Sequence, residues 1–138
     1  MKNIPTLVPV VAAALIAPDG RVLMQQRRAG AQHGGLWEFP GGKVEAGEGL
    51  EQSLCRELEE ELGIRVDPEA LTPFSFAALP GEPVLLLLFL CRSWQGDPQC
   101  LDAAAVGWFD PAALLELPMP PLDVPLARAV RDLSKKAN

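Results

Sequence analysis

Seven glutamates lie between Gly42 and Ile64: Glu45, Glu48, Glu51, Glu57, Glu59, Glu60 and Glu61. One base, Arg56, lies inside the run, with Lys43 and Arg65 at its edges. Carboxylates this crowded repel one another unless a cation joins them, and a hard divalent ion takes oxygen ligands of this kind. The chemistry such a cluster suits is that of Mg²⁺ or Mn²⁺. Charge runs are also often plain solvated faces, so spacing has to decide between the two readings.

The element that must position these acids is a helix. Leu50, Leu54, Leu58 and Leu62 recur every four residues, which predicts a helix over 50–62 with an apolar stripe. Gly63 stands just past it, where a left-handed capping residue belongs. Glu57, Glu60 and Glu61 then gather on one side of the helix. At about 100° per residue, Glu61 points close to the leucine stripe, Glu57 flanks it, and Glu60 lies toward solvent. Partial burial raises the pKa of Glu57 and Glu61 and destabilises their charged forms, and a bound cation reverses that effect.

Around the helix, apolar runs and turn signals predict strands at 7–16 and 21–27, joined by the turn Pro18-Asp19-Gly20. The second strand turns polar at Gln25 and Gln26. A glycine-rich loop at 29–35 leads to a short extended piece at 36–40, and Gly41-Gly42 opens a loop to about Gly47. Strands follow at 74–79, at 84–91 and at 106–109; the second is apolar on both faces and therefore central. Asp110-Pro111 starts a brief helix, the proline-rich 117–125 is a loop, and a last helix covers 126–133 before a fraying tail. This pattern fits one α/β domain over 1–138, a mixed sheet covered by helices.

Composition narrows the function classes. The net charge is −6 and the sequence pI near 4.7, which argues against a stable nucleic-acid or anionic membrane partner. Cys55, Cys91 and Cys100 form no CxxC pair, and His33 is the lone histidine. A disulfide framework or zinc site is therefore not expected, and a reducing cytoplasm fits. The apolar N-terminal run is read as a buried strand in preference to a signal peptide, since a turn and a second strand follow it at once. No run reaches the ~20 apolar residues that span a bilayer.

The acidic segment fits the pattern G-x5-E-x7-R-E-U-x-E-E-x-G-U, with U a bulky aliphatic residue. The matches are Gly42, Glu48, Arg56, Glu57, Leu58, Glu60, Glu61, Gly63 and Ile64, without departure. Chance agreement at all of them has a probability on the order of 10⁻⁷ or less at average residue usage. This resembles the signature of the Nudix hydrolases. Gln26-Arg27-Arg28 and LWEFPGGKVE at 36–45 resemble the MutT branch of that family. The likeness is dense over 21–64 and thin afterwards.

The resemblance implies the Nudix fold, a mixed β-sheet sandwiched between α-helices, and hydrolysis of a nucleoside diphosphate linked to a further group. A nucleoside triphosphate then gives the monophosphate and pyrophosphate. It implies Mg²⁺ (or Mn²⁺) held by Glu57, Glu60, Glu61 and the main-chain carbonyl of Gly41. Glu57 is also the candidate general base, and Arg56 orients Glu48 or Glu57. A further ligand is expected from Asp102, six residues before Trp108, where the MutT branch carries a glutamate and this chain the shorter aspartate. Arg27, Arg28 and Lys43 are candidate phosphate contacts. Glu38, an acid between Trp37 and Phe39, is either an outward surface residue or an acceptor for a base amine. The resemblance places Asp123 where MutT proper carries an asparagine that reads oxidised guanine. The related cytidine triphosphate pyrophosphohydrolases carry an aspartate there. Leu79, Leu87 and Phe89 are either pocket walls or plain core.

The leading expectation is a nucleotide-pool-sanitising triphosphate hydrolase, monomeric or dimeric, for oxidised nucleotides such as 8-oxo-dGTP, with cytidine triphosphates as close rivals. Hydrolysis of ADP-ribose or dinucleoside polyphosphates is a further reading. The alternative of another class is a non-catalytic nucleotide-sensing or docking module, against which the intact acidic motif counts.

Overall fold

A computed structural model describes residues 6–136. Its strands are β1 (Val8–Leu15), β2 (Val22–Gln26), β3 (Trp37–Glu38), β4 (Gly41–Lys43), β5 (Leu71–Ala78), β6 (Val84–Cys91) and β7 (Ala105–Phe109). The α-helices are α1 (Leu50–Leu62) and α2 (Asp123–Lys136), with 3₁₀ turns at Pro68–Ala70 and Pro111–Glu116. Two sheets form where one was expected. A four-stranded mixed sheet runs β4-β1-β6-β5, with β1 and β6 parallel, and a three-stranded antiparallel sheet runs β3-β2-β7. The hairpin β1–β2 splays between the sheets, joined only by a bridge at Ile16 and Val22.

Strand alternation divides the core in two. Val11, Ala13, Leu15 and Leu23 face the side of α1 with Leu54, Leu58, Leu62 and Ile64. Ala12, Ala14, Ile16, Val22 and Met24 face the side of α2 with Leu126, Ala127 and Val130. The two helices thus cover opposite faces, as the apolar patterning requires. Leu54, Leu58 and Leu62 are fully buried, each stabilising by on the order of 2 kcal/mol. That outweighs the contribution of any cap, so the stripe sets how α1 sits. Leu50, expected in the stripe, is exposed. Gly63 ends α1 at φ 70° and donates its N–H to the Glu59 carbonyl at 2.9 Å.

Four boundaries differ from expectation. The glycine pair is not a loop: Gly41, Gly42 and Lys43 pair with Ala12, Val11 and Val10 as edge strand β4. Strand β5 begins at Leu71 and carries Pro73 at a register shift, where a residue without an N–H is tolerated. Helix α2 begins at Asp123, because Pro125 falls in its first turn and lacks only a donor that had no helical partner. It also runs on to Lys136, through most of the tail expected to fray. No helix among the described residues is long and apolar enough to cross a membrane.

Candidate active site

Strand β4 lies against α1, and this contact builds the site. The Gly41 N–H donates to Glu61 Oε2 at 3.0 Å. Glycine at 42 leaves room for the Glu57 carboxylate: a Cβ there would stand 2.5 Å from Glu57 Cδ and 2.6 Å from each of its oxygens. The two acids thus press on adjacent backbone units of one short strand. Glu61 is 9% exposed, the half-buried Glu57 flanks it, and Glu60 is exposed, the order predicted from helical geometry.

Arg56 organises the neighbouring carboxylates. Its Nε and Nη2 donate to the two oxygens of Glu48 at 2.8 and 3.0 Å, a bidentate pair. Its Nη1 donates to Glu57 Oε1 at 3.0 Å and to both Glu60 oxygens at 3.3 Å, with Glu45 at 3.7 Å. The guanidinium therefore orients both Glu48 and Glu57. The Arg56 hydrogen bonds hold the Glu48 carboxyl down at about 2. Ser53, wholly buried in α1, adds a link by donating to the Lys43 carbonyl at 3.4 Å. No sequence signal marked Ser53, since a serine in a helix is ordinarily a surface residue.

Burial pushes Glu57 above the usual carboxylate range despite Arg56. Burial, then repulsion by Glu57, pushes Glu61 up to about 8, although the Gly41 N–H and the Gln25 amide favour its charged form. These residues fit a divalent cation: the donors are hard oxygens, and a charge buried beside a like charge calls for a counter-ion. Glu57 and Glu61 are the side chains that suit it. Glu60 is turned to Arg56, and Asp102 is exposed on its loop. Among the described residues, no three acidic, histidine or cysteine side chains converge into a ready cage.

A second group lines the β3 edge. Arg27 is tied to its neighbours: Nη2 pairs with Glu38 Oε1 at 2.9 Å, Nη1 donates to the Gln32 carbonyl at 3.1 Å, and the buried Nε has no partner among the described residues. Glu38 is thus a partly buried acid held by Arg27 through Oε1; burial raises its pKa and Arg27 opposes the rise. Asp123 is 5% exposed, and its Oδ2 accepts the Phe39 N–H at 3.2 Å. Burial raises it to about 7. Arg28 and Lys43 are exposed and, among the described residues, form no ion pair. Phe89 is core and Leu87 packs against it, whereas Leu79 is exposed. A cavity of about 410 Å³ opens at the β1–β2 turn beside Arg21, Arg92 and Asp110, lined by none of these site residues.

The signs of these shifts give a first prediction. Glu61 and Asp123 titrate higher folded than unfolded, so the stability they allow is complete below about pH 4 and is lost as pH rises through about 7 and 8. Glu48 acts oppositely, and its contribution is lost only as pH falls toward about 2. In chelator, thermal melts are expected to show a higher Tm at pH 5 than at pH 8. The slope is at most about 1.4 kcal/mol per pH unit for Glu61 and for Asp123. A Tm that rises from pH 5 to pH 8 would contradict this electrostatic account.

Comparison with known proteins agrees with this geometry. The NUDIX domain model matches residues 6–130. An Escherichia coli protein named CTP pyrophosphohydrolase is 38% identical over 119 residues, 86% of this chain and 88% of its own length. A Haemophilus influenzae protein named 8-oxo-dGTP diphosphatase is 36% identical over 118 residues, 84% of this chain and 86% of its own. A structure of MutT from Aliivibrio salmonicida and Vibrio cholerae superposes with a TM-score of 0.82 at 31% identity, covering 93% of this chain and 99% of that one. With the family model spanning most of the chain and the fold shared throughout, this protein belongs to the Nudix family and is a hydrolase of the MutT type.

Proposed function

We propose that the chain is a Mg²⁺-dependent nucleoside triphosphate pyrophosphohydrolase, with Mn²⁺ accepted. It hydrolyses oxidised (deoxy)nucleoside triphosphates such as 8-oxo-dGTP to the monophosphate and pyrophosphate. The observation that carries this reading is the pair Glu57 and Glu61 pressed against the β4 glycines beneath the Arg56 clamp. Glu57, Glu61 and the Gly41 carbonyl would hold the cation, with Glu60 and Asp102 as outer candidates. When bound, the cation neutralises phosphate oxygens and makes water a better nucleophile. Glu57 takes the proton of the attacking water, and the Arg56 hydrogen bond keeps its carboxylate aimed. Water adds to one phosphorus of the diphosphate linkage, the bridging P–O bond breaks, and the group beyond it leaves with those electrons, giving the monophosphate and pyrophosphate. Lys43 and Arg28, free of ion pairs among the described residues, are the phosphate contacts.

Asp123 favours a second reading, a cytidine triphosphate substrate. Its carboxylate accepts but cannot donate unless protonated, whereas an asparagine amide does both. An amine-bearing cytosine suits the acceptor. The test is a panel of unmodified and oxidised nucleoside triphosphates with Mg²⁺, ranked by kcat/KM. Turnover of at least one with release of pyrophosphate is expected; nucleotide binding without turnover would favour the sensing module instead. Asp123→Asn retains the acceptor for the Phe39 N–H and gains a donor. It is expected to shift the ranking toward oxidised guanine by about tenfold, the worth of one hydrogen bond. An unchanged ranking would remove Asp123 from base recognition.

A further inference from the structure

Gln25 is the one residue of β2 whose burial its chemistry does not explain. It is 5% exposed, between Met24, which is fully buried, and half-buried Gln26. Its strand neighbours across the sheet are Glu38 on β3 and Val106 on β7. Paired residues project to one face, so Gln25 shares the face of Leu23, Val106 and Trp108, which packs on α1. On that face lies the buried Glu61 of α1, and the Gln25 amide is among the groups that favour the charged form of its carboxyl. Its Oε1 is buried and has no protein partner among the described residues. With Glu61 ionised, as a bound cation requires, turning the amide over would set oxygen against oxygen, so the charged carboxylate fixes its orientation. A buried acceptor left without a donor is destabilising, and an apolar side chain like the neighbouring Leu23 or Met24 would avoid it. Groups kept against stability are found where a site needs them.

We infer that Gln25 is a positioning residue for the divalent cation: its amide and the Gly41 N–H hold the Glu61 carboxylate from two sides, fixing the face it turns to the metal. The inference rests on the proposed metal role of Glu61. Gln25 is to Glu61 what Arg56 is to Glu57, with a neutral donor replacing a charged one. A guanidinium there would neutralise the buried carboxylate and compete with the cation, whereas an amide orients it and leaves its charge available. Partners of this kind ordinarily change metal affinity by about 10–100-fold.

The test is direct Mn²⁺ binding to the full chain without nucleotide, followed by electron paramagnetic resonance of free Mn²⁺, together with the separate KM values for Mg²⁺ and for nucleotide. Gln25→Met keeps length and burial but removes the amide. Gln25→Asn, which withdraws the amide by one methylene, serves if the first variant is unfolded by circular dichroism. Either is expected to weaken Mn²⁺ binding by about tenfold or more and to raise KM for Mg²⁺ while leaving KM for nucleotide within twofold. Tm in chelator should be unchanged or higher in Gln25→Met. Mn²⁺ affinity within about twofold of the unaltered protein overturns the inference while leaving the metal reading of Glu61 intact, provided Glu61→Gln loses binding. Absence of Mn²⁺ binding by the unaltered protein overturns both.

Discussion

Replacing Glu57 by glutamine is expected to lower kcat/KM for pyrophosphate release by on the order of 10²–10⁴, the range supplied by a positioned general base, and to leave the fold standing. The reason lies in which property the substitution removes. Glutamine keeps the shape, and its Oε1 can still accept from Arg56 Nη1, which now reaches Glu57 at 3.0 Å. The bidentate grip of Arg56 on Glu48 is independent of the change. What disappears is the charge, and with it the proton acceptor and one hard-oxygen donor. The folded protein should tolerate this well, because Glu57 is half-buried and is the main repulsion on Glu61. Melts in chelator should therefore show an unchanged or raised Tm, with the midpoint of the pH-dependent loss moved to lower pH as Glu61 ionises more readily. Near-normal turnover in the folded variant would remove Glu57 from the mechanism.

That separation of shape from charge explains what could be read in the residues alone. Helix α1 was legible to its ends, because the leucine period, Gly63 and the acidic spacing all agree. The order of burial among Glu61, Glu57 and Glu60 follows from the same period. Asp123 was legible as a residue of interest but not as a helix N-terminus, since the prolines around it look like a loop until Pro125 is seen to occupy a first turn. The partners of Arg27 were not legible. Its capture by Glu38 depends on β2 lying beside β3, with Gln25 opposite Glu38, a register no local pattern specifies. Gln25 itself read only as the point where the strand turns polar, whereas the chain buries it on the face that packs on α1. A polar residue inside an apolar strand was the signal, but its meaning depended on what packs above it.

Adjacent glycines make the sharpest contrast in expected outcome. A Cβ on Gly41 would overlap the Val11 carbonyl oxygen and stand 2.6 Å from Ala12 Cα, and φ at this residue is +156°. Both obstacles are backbone atoms of central strand β1, which pairs with β4 on one side and β6 on the other and cannot yield locally. Gly41→Ala must therefore break the β4–β1 pairing, and the Glu61 contact to the Gly41 N–H with it. Overpacking and positive-φ strain together cost about 2–5 kcal/mol, enough to lower Tm by roughly 10 °C or more in a domain of this size. A Cβ on Gly42 meets only the Glu57 carboxyl group, the far end of a side chain that can swing aside. Gly42→Ala should keep Tm within a few degrees of the parent, yet lose activity on the scale of Glu57→Gln, because the carboxylate leaves its seat above the strand. Melting and kcat/KM measured on the two alanine variants would then separate along opposite axes. Equal losses of stability in both, or full activity in Gly42→Ala, would show that Glu57 does not act from its position over the glycine pair.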